Sequence, residues 1–157
     1  MKSLVVFYSR SGTTKRIGEA LAEMLGCDSE ELFDTKKRNR PLGFVLAGRD
    51  AQGKKLTTLA DTKRDPASYD LVLLGTPVWA GTLSSAMRTY ISANKSKFKQ
   101  VAFFCTQGGT ENKLLFDEME ALCERRPVNV LAVSQKEVKE GAYQDKLRQF
   151  VNGLQAP

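Results

Sequence analysis

Apolar residues are not spread evenly along this chain. Four runs, at residues 4–8, 71–74, 101–104 and 128–133, are apolar almost throughout. That pattern suits strands buried on both faces of a parallel sheet. A fifth run, residues 30–33, alternates weakly and carries acids, as an edge strand can. Between the runs the spacing changes to that of helices. Ile17, Ala20, Leu21, Met24 and Leu25 fall at i, i+3, i+4, i+7 and i+8, and Gly26 follows as a C-cap. Leu83, Met87, Tyr90 and Ile91 form a second stripe. Leu115, Met119, Leu122 and Cys123 form a third, and Tyr143, Leu147, Phe150, Val151 and Leu154 a fourth. Such stripes are read as core-facing.

Alternation of strand and helix predicts an α/β fold, a doubly wound parallel sheet with helices on both faces and right-handed crossovers. Five strands in 157 residues fit the order 2-1-3-4-5 within one domain spanning residues 1–157. Residues 36–65 fit this pattern least well. A short helical look at residues 41–53 is flanked by loops.

Composition narrows the classes. No apolar run approaches the roughly 18 residues a membrane helix needs, and the N-terminus lacks the apolar core of a signal peptide. Three cysteines without a CxxC pair point to reduced thiols and a cytoplasmic setting. Histidine is absent, so Ser-His and Cys-His nucleophile pairs and His-ligated metals are excluded. The net charge of +6 is concentrated: residues 36–64 hold nine Lys and Arg against Asp50 and Asp61. Such a stretch is a solvated basic face or a docking surface for an acidic partner. Few aromatics interleave its charges, which argues against nucleic acid.

In an open parallel sheet, ligands bind beyond the carboxyl ends of the strands, at the switch point. Three loops follow the first, third and fourth runs there. The first reads Ser9-Arg10-Ser11-Gly12-Thr13-Thr14. Hydroxyls, a glycine and the start of a helix together make an anion cradle suited to phosphate. It is neither GxxxxGK[ST] nor GxGxxG. A plain cap by Ser11 or Thr13 needs one hydroxyl, and four are present. The second loop, Pro77-Val78-Trp79-Ala80-Gly81, holds the only tryptophan. Trp79 either covers a flat ligand there or packs beneath its own loop; Ser84 or Thr82 is expected to cap the helix that follows. The third, Cys105-Thr106-Gln107-Gly108-Gly109, offers bare backbone groups. Glu at position 111, where a phosphatase C-x5-R loop has Arg, argues against a thiol nucleophile at Cys105.

These loops resemble the flavodoxin family. Ser9 to Thr14 matches its [ST]-x-[ST]-G-x-T phosphate loop at every constrained position, and "TPVWAGTLSSAMRTYI" and "CTQGGT" are similar to its two ring-binding loops. The resemblance covers essentially the whole chain and implies a flavodoxin-like fold with noncovalent FMN. By position, Ser9, Ser11, Gly12, Thr13 and Thr14 would hold the phosphate, with Arg10 adding charge. Pro77, Val78, Trp79, Ala80 and Gly81 would line the flavin, Trp79 stacking on it. The loop from Cys105 through Thr106, Gln107, Gly108 and Gly109 would close the other edge. Unlike many flavodoxins, this chain is basic and has no aromatic between Thr106 and Asn112. One flavin face is therefore expected to be open, and full reduction easier than in acidic relatives.

Three functions follow as expectations. The first is an electron carrier that docks an acidic redox partner on residues 36–64. The second is an NAD(P)H-dependent quinone or azo-compound reductase. The third is a flavin-free binding module on the same fold.

Overall fold

The structure, a computed structural model, describes residues 1–35, 56–109 and 112–155. Five strands form its parallel sheet: β1 (Ser3–Tyr8), β2 (Asp28–Leu32), β3 (Leu71–Trp79), β5 (Gln100–Gln107) and β6 (Val130–Ser134). A two-residue strand, β4 (Thr82–Leu83), pairs antiparallel with the end of β3. The order is β2-β1-β3-β5-β6. With β4 set aside, that is the expected 2-1-3-4-5.

Side chains alternate cleanly across this sheet. Leu4, Val6, Val72, Leu74, Val101 and Phe103 pack on one face with α2 (Ser85–Asn94) and α3 (Lys113–Cys123). Val5, Phe7, Leu71, Leu73, Ala102 and Phe104 pack on the other with α1 (Thr13–Leu25), α4 (Gln135–Glu140) and α5 (Gln144–Gln155). The strands β1, β3 and β5 thus supply apolar residues to both layers, which is why their runs show no period of two. The helical stripes expected from the spacing face these layers, except that Met24 of α1 is exposed. Gly26 closes α1 at φ 58, its N–H bonded to the carbonyls of Ala22 and Glu23. Two glycines permit close packing: a Cβ on Gly75 would lie 2.0 Å from the Phe104 ring, and one on Gly18 would lie 2.5 Å from Phe7.

Several element bounds differ from expectation. β3 runs five residues past the 71–74 core, because its far end is paired by β4 rather than released into a loop. β2 begins at Asp28 and ends before Phe33, which is exposed. β6 starts at Val130 rather than 128. The α4 helix was not expected, although Ser134 and Glu137 form a capping box that marks its start in the sequence. The short helical stretch expected at residues 41–53 lies outside the described residues.

Candidate functional site

Sheet register decides which loops meet. In parallel pairing, Pro77 lies beside Thr106 and Gln107 beside Ser134. The chain therefore leaves β1, β3, β5 and β6 at one edge of the sheet. A cleft forms there, lined by Ser9, Arg10, Ser11, Thr13 and Thr14 from the first loop, Pro77, Val78 and Trp79 from β3, Thr106 from β5, and Gln135 from α4.

The first loop is built as an open helix start. Gly12 is the N-cap of α1 at φ 101, in the left-handed region that favours glycine, and no side chain caps the helix. The Ser9 hydroxyl accepts from the Gly12 N–H at 3.0 Å, closing the turn beneath it. Neither Ser11 nor Thr13 takes the capping role. The first backbone N–H groups of α1 thus keep their donor capacity at the positive end of the helix dipole. Thr14 is used differently from the other hydroxyls. It is buried and shares a 2.8 Å hydrogen bond with the Thr106 hydroxyl, tying the first loop to the end of β5.

Trp79 is the last residue of β3 and is 5% exposed. Its ring meets Tyr8 edge-on, with centroids 5.3 Å apart and planes at 88°. It forms a wall of the cleft rather than an exposed cover, because β4 holds the strand end down. Ala80 and Gly81 make the exposed hairpin tip beyond it, at φ 49 and 78, and line no part of the cleft. Ser84 caps α2 through the Met87 N–H at 3.2 Å.

The third loop divides. Thr106 reaches the cleft, whereas Gln107 and Gly109 face a neighbouring hollow with Ser134 and Lys146. The Gln107 Oε1 is buried with no hydrogen-bond partner among the described residues. Side chains on Gly108 or Gly109 would meet nothing within 4 Å. Cys105 does not line the cleft. It is fully buried in the α2–α3 layer, and burial pushes its thiol up to about 12. Cys123 behaves likewise, while Cys27 is only half-buried, its thiol pushed up to about 11 by burial and then by Asp28.

Gln135 was not among the sequence-predicted residues. It follows β6 rather than β1, β3 or β5, and the Ser134-x-x-Glu137 capping box is the sequence signal that locates its helix start. A second, shallower cleft adjoins the first, lined by Arg10, Ser11, Gly12, Thr13, Arg16, Gln135, Val138 and Lys139. Three of these are cationic. Of the basic residues at 36–64, only Lys63 and Arg64 fall among the described residues. The N–H groups of both bond Glu30, and Arg64 pairs with Asp28 at 3.1 Å. Among the described residues, no group of three or more Cys, Asp or Glu converges as a metal site needs, and no helix is long and apolar enough to cross a membrane.

Residues 2–154 match the sequence model of one protein family, flavodoxin. The chain belongs to the flavodoxin family. Solved structures share its fold. A flavoprotein of Lactobacillus acidophilus NCFM, crystallised in complex with FMN, superposes with a TM-score of 0.72 at 24% identity, covering 90% of this chain and 98% of that one. A putative flavoprotein of Bacteroides eggerthii gives 0.69 at 21% identity, covering 96% and 98%. Two-electron-reduced Megasphaera elsdenii flavodoxin gives 0.57 at 19%, covering 92% and 93%. In this flavodoxin-family chain, the six-residue motif Ser9–Thr14 runs directly into the uncapped start of α1 at Gly12.

Proposed function

We propose that this chain binds FMN noncovalently in the cleft at the start of α1 and works in electron transfer. One observation carries the reading: a phosphate-loop sequence of the family folds into a helix start with no side-chain cap, Gly12 holding the backbone open at φ 101. The residues fit the cofactor. Backbone N–H groups of α1, with the Ser11 and Thr13 hydroxyls, suit a phosphate. Trp79, Pro77 and Val78 give an apolar wall suited to a ring system. Opposite them, Thr106 brings the end of β5 to the cleft, while Gln107 and Gly109 stand in the adjoining hollow.

When bound, FMN supplies one- and two-electron redox chemistry, and the protein's part is position and electrostatics. The lining residues suit that division of labour. Among the described residues, the cleft is lined by hydroxyls, an amide, a guanidinium and apolar side chains, groups suited to binding and orienting. Arg10 lines both this cleft and the shallower one beside it. An acidic redox partner suits the chain's +6 charge, and residues 36–64 carry the densest share of it.

A second reading is a self-sufficient NAD(P)H-dependent reductase. What favours it is the adjoining cleft with Arg10, Arg16 and Lys139, which suits the phosphates of a dinucleotide. Anaerobic stopped-flow mixing of the FMN-loaded protein with NADPH separates the two. For a carrier, the flavin absorbance stays unchanged until a reductase is added. Rapid direct bleaching, followed by turnover on a quinone, would instead establish the reductase.

A further inference from the structure

We infer that Arg88, buried, and Glu118, half-buried, form a brace that holds Trp79 in place through Thr82, making both of them positioning residues for the FMN site proposed above. Arg88, on α2, is 5% exposed. Its Nη2 donates to the Thr82 hydroxyl at 3.0 Å and also to Glu118 Oε1 on α3. The Thr82 hydroxyl in turn donates to Glu118 Oε2 at 2.8 Å. One guanidinium thus joins β4, α2 and α3.

Thr82 is the register partner of Trp79 across the two-residue turn Ala80–Gly81. Both turn residues are left-handed, at φ 49 and 78. Such a hairpin turn favours Asn-Gly or Gly-Gly, because a β-carbon at positive φ crowds the next carbonyl. An alanine persists there only where its surroundings over-determine the backbone. The brace supplies that determination on the residue that closes the turn. Net stability does not account for the pair, since a buried ion pair can be replaced by apolar residues of similar size at little cost. The Arg88 Nε also has no partner among the described residues, so the guanidinium is not fully satisfied. What the pair does fix is geometry. It clamps β4, and β4 clamps the end of β3 that walls the cleft.

The inference rests on the FMN reading for its functional half, and the experiment separates the two. Four variants are made in the full chain: Thr82→Val, Thr82→Ser, the double variant Arg88→Met/Glu118→Gln, and that double variant combined with Ala80→Gly. Each is measured for apo-protein fluorescence of Trp79, the only tryptophan, for thermal midpoint and for FMN affinity. Thr82→Val should fold with a midpoint lowered by its lost hydrogen bonds to Glu118 and Arg88, and the double variant with a midpoint near wild type; both should shift the Trp79 emission and weaken FMN, by about tenfold. Thr82→Ser should restore both emission and affinity. Adding Ala80→Gly should shrink the loss, because a glycine turn needs less holding. Wild-type emission and FMN affinity in a folded Thr82→Val would overturn the brace. Should the double variant fail to fold, the Thr82 pair decides alone. A wild-type protein that takes up no FMN would remove the cofactor reading, while an emission shift in Thr82→Val would still uphold the mechanical one.

Discussion

Glycines 12 and 75 show how one residue type does two unrelated jobs. Gly12 is needed for its backbone: at φ 101, a β-carbon would touch nothing within 4 Å, so strain alone would resist substitution. Gly12→Ala should cost about 1–2 kcal/mol of stability and weaken FMN, because the turn that opens the α1 N–H groups would shift. Gly75 is needed for space, its place filled by the Phe104 ring. Gly75→Ala should cost about 1–3 kcal/mol through overpacking, and urea unfolding with FMN titration would separate the two effects. The sequence made Gly12 legible, since glycine after hydroxyls and before a helix has few other uses. It did not reveal Gly75, which depends on a ring from another strand. Nor did it divide the hydroxyls correctly: Thr14 looks like its neighbours in sequence, yet its partner, Thr106, comes from β5.

The thiols give a pH dependence of definite sign. Burial pushes Cys105 and Cys123 up to about 12 and Cys27 up to about 11. Unfolded thiols ionise near about 8.5. The folded state therefore binds more protons above that pH, and stability falls as pH rises from about 8.5 toward the folded values. Urea unfolding of wild type and of Cys105→Ala between pH 7 and 10 should show a shallower alkaline loss in the variant, after allowing for its constant packing cost. Equal slopes would mean that the Cys105 thiol ionises alike in both states.

Elements follow the same division between local and distant causes. The strands and the four long helices were legible because each buries a continuous face, and burial writes itself into periodicity. The extension of β3 was not, since Pro77, Ala80 and Gly81 make the stretch look like a loop until β4 pairs with Val78 and Trp79. That pairing also turned Trp79 from an exposed cover into a cleft wall. The α4 helix was missed for lack of an apolar stripe. Its six residues begin with a capping box: the Ser134 hydroxyl accepts from the Glu137 N–H at 3.1 Å, and Glu137 accepts from the Ser134 N–H at 2.8 Å. Ser134→Ala should cost about 1 kcal/mol and speed amide exchange in α4. Lys146, followed by the Ser134 N–H, holds the Glu137 carboxyl below its usual range. Its contribution is full above the unfolded value of about 4.3 and is lost as pH falls through the folded one. Exchange in α4 should therefore quicken in acid in wild type more than in Glu137→Gln; equal acid responses would show that the box is not what holds α4. Because Gln135 lines the cleft, the same helix shapes the site.

For the molecule as a whole, the sheet order is the device that makes a site. Reversal of winding direction between β1 and β3 leaves a crevice at their carboxyl ends, and parallel register brings the loops of β1, β3 and β5 to it together. The net charge of +6 favours the approach of anionic molecules in general, an attraction that salt screens. The central claim is that this crevice holds FMN by its phosphate at the start of α1. Titrating apo-protein with FMN and following the quenching of flavin fluorescence tests it directly. Wild type should saturate at one FMN per chain, whereas Ser11→Ala/Thr13→Ala should bind at least about tenfold more weakly, each lost hydrogen bond to a charged phosphate being worth about 1.5–3 kcal/mol. Riboflavin, which lacks the phosphate, should bind both proteins equally weakly. Equal FMN affinity in wild type and the double variant, or no uptake by wild type, would contradict it.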